Sequence, residues 1–252
     1  MRQAMIPAVP STRAQHDRRQ RMLQVATAML ASGGEDALQM KELAERATVS
    51  LATLYRYFPS KDHLLLAIVQ SRYENALRRV SGEVPRGATV QERVTSHLLR
   101  EFRAEQRDQR LTAALTRVLS DTRPEYAPGI MKVQQLRLQL IEHIATAGAP
   151  VDEPLRLRLR IVIDVFGAAT RRWLAGVSSA AEARFEIRVG CYLLREPPDG
   201  AACRRREALA ASGQPPLVLH QHHSARRGCR SSAVSFTAGE SAGRSRRAVA
   251  AR

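Results

Sequence analysis

The stretch of residues 39–63 constrains the fold of this chain more than any other part of it. Met40 to Ala47 places apolar side chains at i, i+3, i+4 and i+7, which is the pattern of a helix with one buried face. Thr48-Val49 interrupts the pattern, and Ser50, a good N-cap, opens a second amphipathic stretch that ends near Tyr57. Two short helices joined by a tight turn predict a helix-turn-helix, whose second helix enters the major groove of DNA.

The second helix of this pair divides its side chains between the core and a groove of DNA. Leu54 and Phe58 are predicted to point into the core, which leaves the other side chains more exposed. The N-terminal residues of such a helix touch base edges, and small or apolar side chains suit close approach and thymine methyls. Tyrosine and lysine side chains further along suit phosphate contacts. The exposed candidates are Ser50, Leu51, Ala52, Thr53, Tyr55, Arg56, Tyr57 and Lys61.

A long helix is predicted to follow directly. Ser60 is its N-cap, and Asp62 lies in its first turn, where a negative charge interacts favourably with the helix dipole. With these residues in place, the stretch 18–80 resembles the DNA-binding domain of the TetR family of bacterial one-component regulators. The matching positions are Ala26, Gly33, Leu43, Ala44, Ala47, Val49, Ser50, Thr53, Leu54, Tyr55, Tyr57, Phe58, Ser60, Lys61 and Leu64.

Two positions depart from the family pattern, which favours glycine where Thr48 and Ala52 stand. If the backbone at residue 48 needs a positive φ, threonine costs about 1 kcal/mol or more there. The family places its first helix against the DNA backbone, which implies phosphate contacts for Arg18 and Arg19. A finer similarity, to the repressors of cholesterol and steroid breakdown in actinobacteria, is carried by residues 57–65 and by Gln39, Met40 and Lys41, which join the predicted DNA contacts.

The charge of the chain fits a polyanionic partner. Its 252 residues carry a formal net charge of +16 and a sequence pI of about 11.1, so double-stranded DNA is the leading candidate. The three cysteines, Cys191, Cys203 and Cys229, form no disulfide framework and predict a reducing cytoplasm. Residues 1–10 lack the apolar core of a signal peptide, and no uninterrupted apolar run is long enough to span a membrane.

The pattern of helices and breaks predicts an all-α chain of about nine helices. A flexible arm (1–12) precedes the helix-turn-helix domain (13–82), whose first helix ends at Gly33-Gly34. A break at 81–87 separates it from a helical ligand-binding and dimerisation domain (88–195), with helices near 89–106, 109–121, 126–147, 153–177 and 179–195. The remaining residues (196–252), rich in Arg, Ala and Ser, are predicted to form a disordered tail.

The stretch from Leu155 to Ile163 supports two interpretations. Its apolar residues alternate strictly, as in a half-buried strand, but a helical stripe from Leu155 through Phe166 to Val177 continues over about six turns. The longer pattern favours a helix. The resemblance implies that this helix and the last one form a homodimer, in which two recognition helices lie roughly 35 Å apart on an inverted-repeat operator.

Inward-facing residues of the second domain predict a site for a small hydrophobic effector, as the resemblance implies; they are Leu98, Phe102, Leu115, Val118, Leu119, Met131, Leu136, Leu140, Phe166 and Trp173. The steroid-regulator similarity implies a sterol-derived acid or its acyl-CoA thioester as the effector. An anionic end of such a ligand has candidate partners in Arg100, Arg103, Arg107, Arg137, Arg171 and Arg172. Asp164, inside an apolar helix, is predicted to be a buried, hydrogen-bonded carboxylate.

Other kinds of chemistry find little support. The residues His220, His222, His223 and Cys229 match no zinc spacing, so no metal or other cofactor is predicted. No nucleophilic triad, carboxylate pair or phosphate-binding loop is recognisable, so the chain is predicted not to be an enzyme. The combined hypothesis is a homodimeric repressor that a ligand releases from DNA. The alternative is a sequence-tolerant architectural protein that binds DNA through its basic tail.

Overall fold

The computed structural model of this chain describes residues 10–82 and 87–195. Within these ranges it contains nine α-helices and two short 3₁₀ turns (Pro124–Tyr126 and Cys191–Leu194) and no strand, which confirms the all-α prediction and the helix count. Residues 1–9 of the predicted arm, part of the break at 81–87 and the whole predicted tail lie outside the described residues. The helices are α1 (Arg13–Ala37), α2 (Met40–Arg46), α3 (Leu51–Tyr57), α4 (Lys61–Val80), α5 (Val90–Arg107), α6 (Gln109–Leu119), α7 (Ala127–Thr146), α8 (Glu153–Leu174) and α9 (Ala180–Gly190).

The first helix has a start and an interruption that its sequence explains. The Thr12 side chain caps α1 by accepting a hydrogen bond from the backbone N–H of Gln15 at 3.3 Å. Met22 and Leu30 on its inner face are fully buried. Gly34 has φ 72°, a left-handed conformation that glycine adopts without strain, so regular helix geometry breaks there before one further turn to Ala37.

Two hydrophobic cores divide the described residues, and α4 takes part in both. The first core joins α1–α4 to α6 and to Tyr126 and Val133. The second joins α5, α7, α8 and α9, with Tyr73 and Leu77 of α4 packed against it. α4 is therefore a continuous element that packs in both cores.

The stretch that alternates like a strand is the start of α8. Asp152 caps this helix by accepting a hydrogen bond from the backbone N–H of Leu155 at 2.8 Å. Leu159, Val162 and Phe166 are buried at helical spacing, so the helical interpretation of this stretch is confirmed. The predicted stripe was extended too far, because Val177 lies beyond the helix and is 73% exposed. In the described ranges, none of the helices combines the length and apolar character needed to cross a membrane.

Candidate DNA interface and ligand cavity

The turn between α2 and α3 contains a strained residue. Thr48 has φ 56°, in the left-handed region that β-branched side chains rarely adopt. The turn is closed by backbone hydrogen bonds from Thr48 N–H to Glu45 O at 3.1 Å and from Val49 N–H to Ala44 O at 2.9 Å. The family's preference for glycine at this position therefore has a physical reason here, and this chain tolerates the cost.

The N-terminus of α3 is organised by its own side chains. The Ser50 hydroxyl accepts a hydrogen bond from the backbone N–H of Thr53 at 3.1 Å and lies 2.8 Å from the Thr53 hydroxyl. Leu51 and Tyr55 are 40% and 38% exposed, although both are large hydrophobic side chains. Ser50, Ala52 and Arg56 are also exposed, and Thr53 is half-buried. A short helix that presents apolar tips to solvent has the surface expected of a helix that enters a DNA groove.

The predicted exposure of Tyr57 is wrong. Its side chain is only 3% exposed, because Leu54, Tyr57 and Phe58 recur at i, i+3 and i+4 and share the buried face of α3. The Tyr57 ring packs against Phe58 with a centroid separation of 6.2 Å, and the Arg56 guanidinium lies 5.7 Å from its centroid. Burial removes the basis for the predicted phosphate contact, so Tyr57 positions the helix from within.

The four candidate DNA contacts that flank the turn and α3 differ in side-chain exposure. Gln39 and Lys41 are exposed, while Met40 packs partly against the first core. Lys61 is half-buried and donates to the backbone carbonyl of Glu35 at 3.2 Å. These four residues lie at the N-termini of α2 and α4 or directly before them.

The two arginines of α1 are half-buried. The Arg19 guanidinium lies 5.7 Å from the centroid of the Phe58 ring, and burial lowers the pKa of Arg19 while Glu74 opposes this shift. Arg18 shares the same intermediate exposure. Together with the four flanking residues, both stay candidates for DNA contact.

A cavity of about 1020 Å³ lies among α4, α5, α6, α7 and α8. Half of the predicted ligand-contacting residues line it: Leu115, Leu119, Met131, Leu140 and Phe166. The other half do not line it and pack in the cores instead or beside them: Leu98, Phe102, Val118, Leu136 and Trp173. Met131 was predicted to point inward, but it is 67% exposed at the edge of the cavity.

Arginines surround the mouth of this cavity. Five exposed arginines line it: Arg72, Arg79, Arg100, Arg160 and Arg171. Of the arginines predicted to meet an anionic ligand, Arg103, Arg107 and Arg172 lie outside the lining. The prediction of a buried Asp164 is wrong, because this carboxylate is exposed and lines the cavity. Apart from Asp164, the charges at the mouth are therefore positive, which suits an anionic group.

The cavity wall also contains a group of polar side chains between the helices. We call it the polar cluster, and its members are Tyr73, His97, Glu101, Glu105, Arg137 and Thr170. Tyr73 donates to Glu101 Oε1 at 3.2 Å, and Arg137 Nη2 lies 3.7 Å from the same oxygen. The Thr170 hydroxyl donates to Glu105 Oε2 at 3.0 Å. The Arg137 guanidinium also lies 4.7 Å from the centroid of the Phe166 ring, so the cluster joins α4, α5, α7 and α8.

Burial changes the acid–base properties of the polar cluster. Desolvation, with the repulsion of Glu101, raises the pKa of Glu105 to about 7, although Arg137 and Thr170 oppose this shift. Burial raises the pKa of Tyr73 and lowers that of His97. The acidic members, Glu101 and Glu105, are not among the residues predicted from the sequence. Their signal was present, because His97, Glu101 and Glu105 follow each other at intervals of four beside the apolar stripe of α5.

An ionic network connects the cavity helices to the DNA-binding helices. Arg117 of α6 donates to both carboxylate oxygens of Glu35 at 2.8 Å and also pairs with Asp62 at the start of α4. Arg123 binds Asp62 from the other side at 2.6 Å. Although burial opposes it, the two arginines lower the pKa of Asp62. The neighbouring residues Thr116 and Leu119 of α6 line the cavity, so this helix touches both sites.

The described residues contain no cluster of three or more His, Cys, Asp or Glu side chains suited to a metal ion. Residues 22–68 match the sequence model for bacterial regulatory proteins of the tetR family, and residues 87–194 match that for the tetracyclin repressor-like C-terminal domain. These matches cover the helices that carry the cavity and the candidate DNA-contacting residues of α2 and α3, which we call the DNA-facing surface.

Individual relatives agree with the family matches. The chain is 36% identical over 184 residues to the HTH-type transcriptional repressor KstR of Rhodococcus jostii, an alignment that covers 73% of this chain and 85% of the relative. A TetR transcriptional regulator from Rhodococcus sp. RHA1 superposes with a TM-score of 0.64 at 29% identity, over 72% of this chain and 97% of the other.

A more distant structure shares the fold alone. FadR of Bacillus subtilis in complex with stearoyl-CoA superposes with a TM-score of 0.52 at 18% identity, over 69% of this chain and 97% of that one. The curated relatives and the family are transcription regulators, which confirms the prediction that the chain is not an enzyme. On the two matches and the identity to KstR, the chain belongs to the TetR family of bacterial regulatory proteins.

Proposed function

We propose that this DNA-binding regulator acts in the cytoplasm as a homodimeric repressor, which a hydrophobic ligand with an anionic end releases from an inverted-repeat operator. The observation that carries the proposal is the cavity of about 1020 Å³, with aliphatic and aromatic side chains inside and arginines at its mouth. Sites for drug-sized ligands combine apolar and aromatic side chains with a few placed polar groups. This lining has both kinds of side chain and is richer than such sites in charged ones, which lie at the mouth and in the polar cluster. A sterol-derived acid or an acyl-CoA thioester combines the two required features.

The proposed dimer rests on an apolar surface of α8 and α9. Leu157 and Ile161 of α8 are 58% and 41% exposed, and Phe185 and Val189 of α9 are 68% and 44% exposed. Each pair is spaced i, i+4, so each lies on one face of its helix. A large exposed apolar patch on paired helices is typical of a protein–protein interface. A second copy of the chain related by two-fold symmetry covers both patches at once.

The proposed release mechanism is linkage between two conformations. A ligand weakens operator binding only by as much as it prefers the conformation that binds DNA poorly. Helix α6 offers a route for this coupling, because it lines the cavity with Leu115 and Leu119 and holds Glu35 and Asp62 through Arg117. A ligand that displaces α6 would shift the start of α4 and change the spacing of the two recognition helices in the dimer.

Footprinting of the purified protein on DNA upstream of its own gene, with excess unrelated DNA present, tests the proposal. We expect protection of an inverted repeat whose half-sites lie one helical turn apart, about 35 Å. Addition of oleoyl-CoA or a steroid carboxylic acid should remove the protection. The Phe185→Glu variant, which places a charge on the α9 patch, should bind as a weak monomer, while Arg188→Glu on the same helix serves as the exposed control.

The outcomes separate the proposal from the architectural alternative. Uniform coverage of all DNA that disappears at moderate salt would contradict the operator and support sequence-tolerant binding. Protection of a single half-site by wild-type protein would contradict the dimer. Protection that resists every hydrophobic acid and thioester tested would contradict the ligand class but leave the repressor intact.

A further inference from the structure

The polar cluster contains one more acid than it can neutralise. Glu101 and Glu105 lie four residues apart on the same face of α5, and Arg137 of α7 is their permanently charged partner. Burial lowers the pKa of His97, so this side chain supplies no compensating positive charge near neutral pH. With both carboxyl groups ionised the cluster carries a net negative charge, and with one of them protonated it is neutral.

The two carboxyl groups differ in their partners. Glu101 accepts a hydrogen bond from Tyr73 at 3.2 Å and lies 3.7 Å from a guanidinium nitrogen of Arg137. Glu105 accepts a hydrogen bond from the neutral hydroxyl of Thr170 at 3.0 Å. Desolvation and the repulsion of Glu101 raise the pKa of Glu105 to about 7. The proton that neutralises the cluster therefore lies on Glu105, and it is released close to neutral pH.

The helices packed around Glu105 face it with charged and polar groups. These groups are Arg72 and Tyr73 of α4, Glu101 of α5, Thr112 of α6, Arg137 of α7 and Thr170 of α8. Arg72 is the exposed cation of this set, and its charge favours the ionised form of Glu105. An ionised Glu105 is therefore attracted towards Arg72 at the mouth of the cavity and repelled by Glu101 of its own helix.

Helix α4 lies between the polar cluster and the DNA-facing surface. Its residues Arg72 and Tyr73 face the cluster, and its first turn contains Asp62, which Arg117 and Arg123 hold. The helix packs in both hydrophobic cores and begins directly after the short connection that follows α3. This placement makes α4 the candidate link between a charge change in the cluster and the recognition helix.

We infer that the polar cluster is a proton-dependent switch, which holds α4 in the DNA-binding arrangement while the cluster is neutral and loosens it when Glu105 ionises. Operator affinity therefore falls as the pH rises through neutrality, without any ligand. The conformation that binds DNA holds the proton more tightly, and by linkage DNA raises the affinity for the proton in turn. This inference rests on the proposed function for the operator, and it adds the proton as a second effector.

Operator affinity as a function of pH tests the switch in the full-length protein. The probe is a fluorescent duplex that contains the inverted repeat found by footprinting, and its anisotropy is followed at pH 6.0, 6.5, 7.0, 7.5 and 8.0 at constant ionic strength. Between pH 6 and 8 we expect the Kd of the wild type to rise about 10-fold more than that of Glu105→Gln, since each protomer releases one proton. Other titrating groups such as His63 add the same background to every variant.

Three variants separate the switch from general effects of pH. Glu105→Gln keeps the shape of the side chain but cannot ionise, so its operator affinity should follow the background alone. Arg72→Met removes the exposed cation that favours ionised Glu105, so the fall in affinity should move to higher pH. Glu153→Gln at the start of α8, whose side chain is 81% exposed, should follow the wild type. Because Arg72 is exposed, its variant keeps the test valid if Glu105→Gln does not fold.

The outcomes distinguish the switch from the operator on which it acts. Parallel curves of Kd against pH for the wild type and Glu105→Gln, or an unmoved curve in Arg72→Met, would overturn the inference and leave the proposed operator standing. A wild-type affinity that rises with pH, and does not in Glu105→Gln, would contradict the inference by reversing its sign. If no operator is protected even at pH 6, where the cluster is neutral, the proposed function and the switch are both wrong.

Discussion

The surface that faces DNA and the wall of the cavity use their residues in opposite ways. The DNA-facing surface is assembled from neighbours in sequence, on two short helices whose caps and turn lie within the same segment. The polar cluster of the cavity takes residues from four helices, with about a hundred positions between Tyr73 and Thr170. The first surface exposes apolar tips and the second buries charged groups, so a change of one residue has different consequences in each.

This contrast separates two kinds of cost. On the DNA-facing surface, the energetic penalty in the free protein lies in a strained backbone at Thr48. In the cavity, it lies in desolvated ionisable side chains such as Arg137 and Glu101, some of whose polar atoms have no hydrogen-bond partner among the described residues. Strain in the backbone is independent of pH, whereas the cost of burying a carboxyl group depends on it. Experiments that vary pH, charge and backbone freedom should therefore separate the two regions.

The largest expected effect is the pH dependence of stability due to Glu105. Its pKa is raised from 4.5 in the unfolded chain to about 7 in the folded protein. Between these values the folded protein holds a proton that the unfolded chain has released, so stability falls as the pH rises and the loss is complete above 7. The total is on the order of 3 kcal/mol. Urea unfolding at pH 5, 6, 7 and 8 measures it.

The matched variant is Glu105→Gln, which stays neutral at every pH. Its stability should not fall from pH 5 to 8 and should instead rise slightly, because burial lowers the pKa of His97 and His63 in the folded protein. The variant should therefore exceed the wild type most at pH 8. Glu45→Gln on the exposed face of α2 should follow the wild-type curve. Parallel curves for wild type and Glu105→Gln would show that Glu105 is ionised in the folded protein at neutral pH.

The next effect concerns the residue that joins the two regions. Arg117→Met removes the bidentate contact with Glu35 and one of the two arginines bound to Asp62. We expect a loss of about 1–2 kcal/mol in the free energy of unfolding, since the network is partly exposed to solvent. Operator affinity without ligand should fall modestly, but the factor by which a ligand weakens it should shrink towards one.

A control variant distinguishes a loss of coupling between ligand and operator from a loss of folding stability. Arg110→Met removes another arginine of α6 that donates across to the backbone of Ser32 at 2.7 Å, but it leaves Asp62 at the start of α4 untouched. This control should lose stability without losing the ligand response. A normal ligand response in Arg117→Met would place the coupling in α4 alone.

On the DNA-facing surface, Tyr55→Ala should weaken operator binding by about 10-fold, or 1.4 kcal/mol, with little change in stability. Tyr55 is 38% exposed and does not belong to the buried residues of the first core. Tyr57→Ala is the matched comparison, because Tyr57 is buried in the first core. That variant should unfold at a lower urea concentration. Unchanged operator affinity in Tyr55→Ala would remove Tyr55 from the interface.

The same contrast explains what the sequence could and could not predict. Caps such as Ser50 and Ser60, and the burial of Leu54 and Phe58, follow from short-range spacing, so they are predictable from a few neighbours. Tyr57 is the exception, since it is predicted as an exposed phosphate contact, although its position three residues after Leu54 places it on the buried face. Spacing is the stronger signal on a short helix, since the two buried side chains of α3, Leu54 and Tyr57, and its buried C-cap residue Phe58 fix its orientation.

The cavity resisted prediction because its lining depends on which helices meet. Leu98 and Leu140 both look inward-facing in sequence, yet only Leu140 lines the cavity. The ionisable groups are harder still to predict, since Glu101 and Glu105 resemble a solvated helix face until α4, α7 and α8 cover them. Arg137, considered for an anionic ligand because of its charge, lies in the cavity wall but faces carboxylates. No local pattern distinguishes these cases.

The smallest effect tests the strained turn. Thr48→Gly should stabilise the protein by about 0.5–1 kcal/mol, because glycine adopts φ 56° freely but loses more chain entropy on folding. Ala147, the other non-glycine residue with positive φ in the described ranges, gives an independent check at the C-terminus of α7, far from the DNA-facing surface. Ala147→Gly should stabilise as well, whereas Ala181→Gly within α9 should destabilise by about 1 kcal/mol.

The operator affinity of Thr48→Gly then shows whether the strain at residue 48 contributes to DNA binding. If threonine is merely tolerated, the variant binds the operator as tightly as the wild type, because α3 is positioned by Leu54, Tyr57 and Phe58 in the core. If the strained turn sets the angle at which α3 meets DNA, the more stable variant binds more weakly. A gain in stability with a loss in operator affinity would show that the strained turn lowers folding stability but favours DNA binding. The DNA-facing surface would then resemble the cavity, whose buried ionisable groups also lower the stability of the free protein.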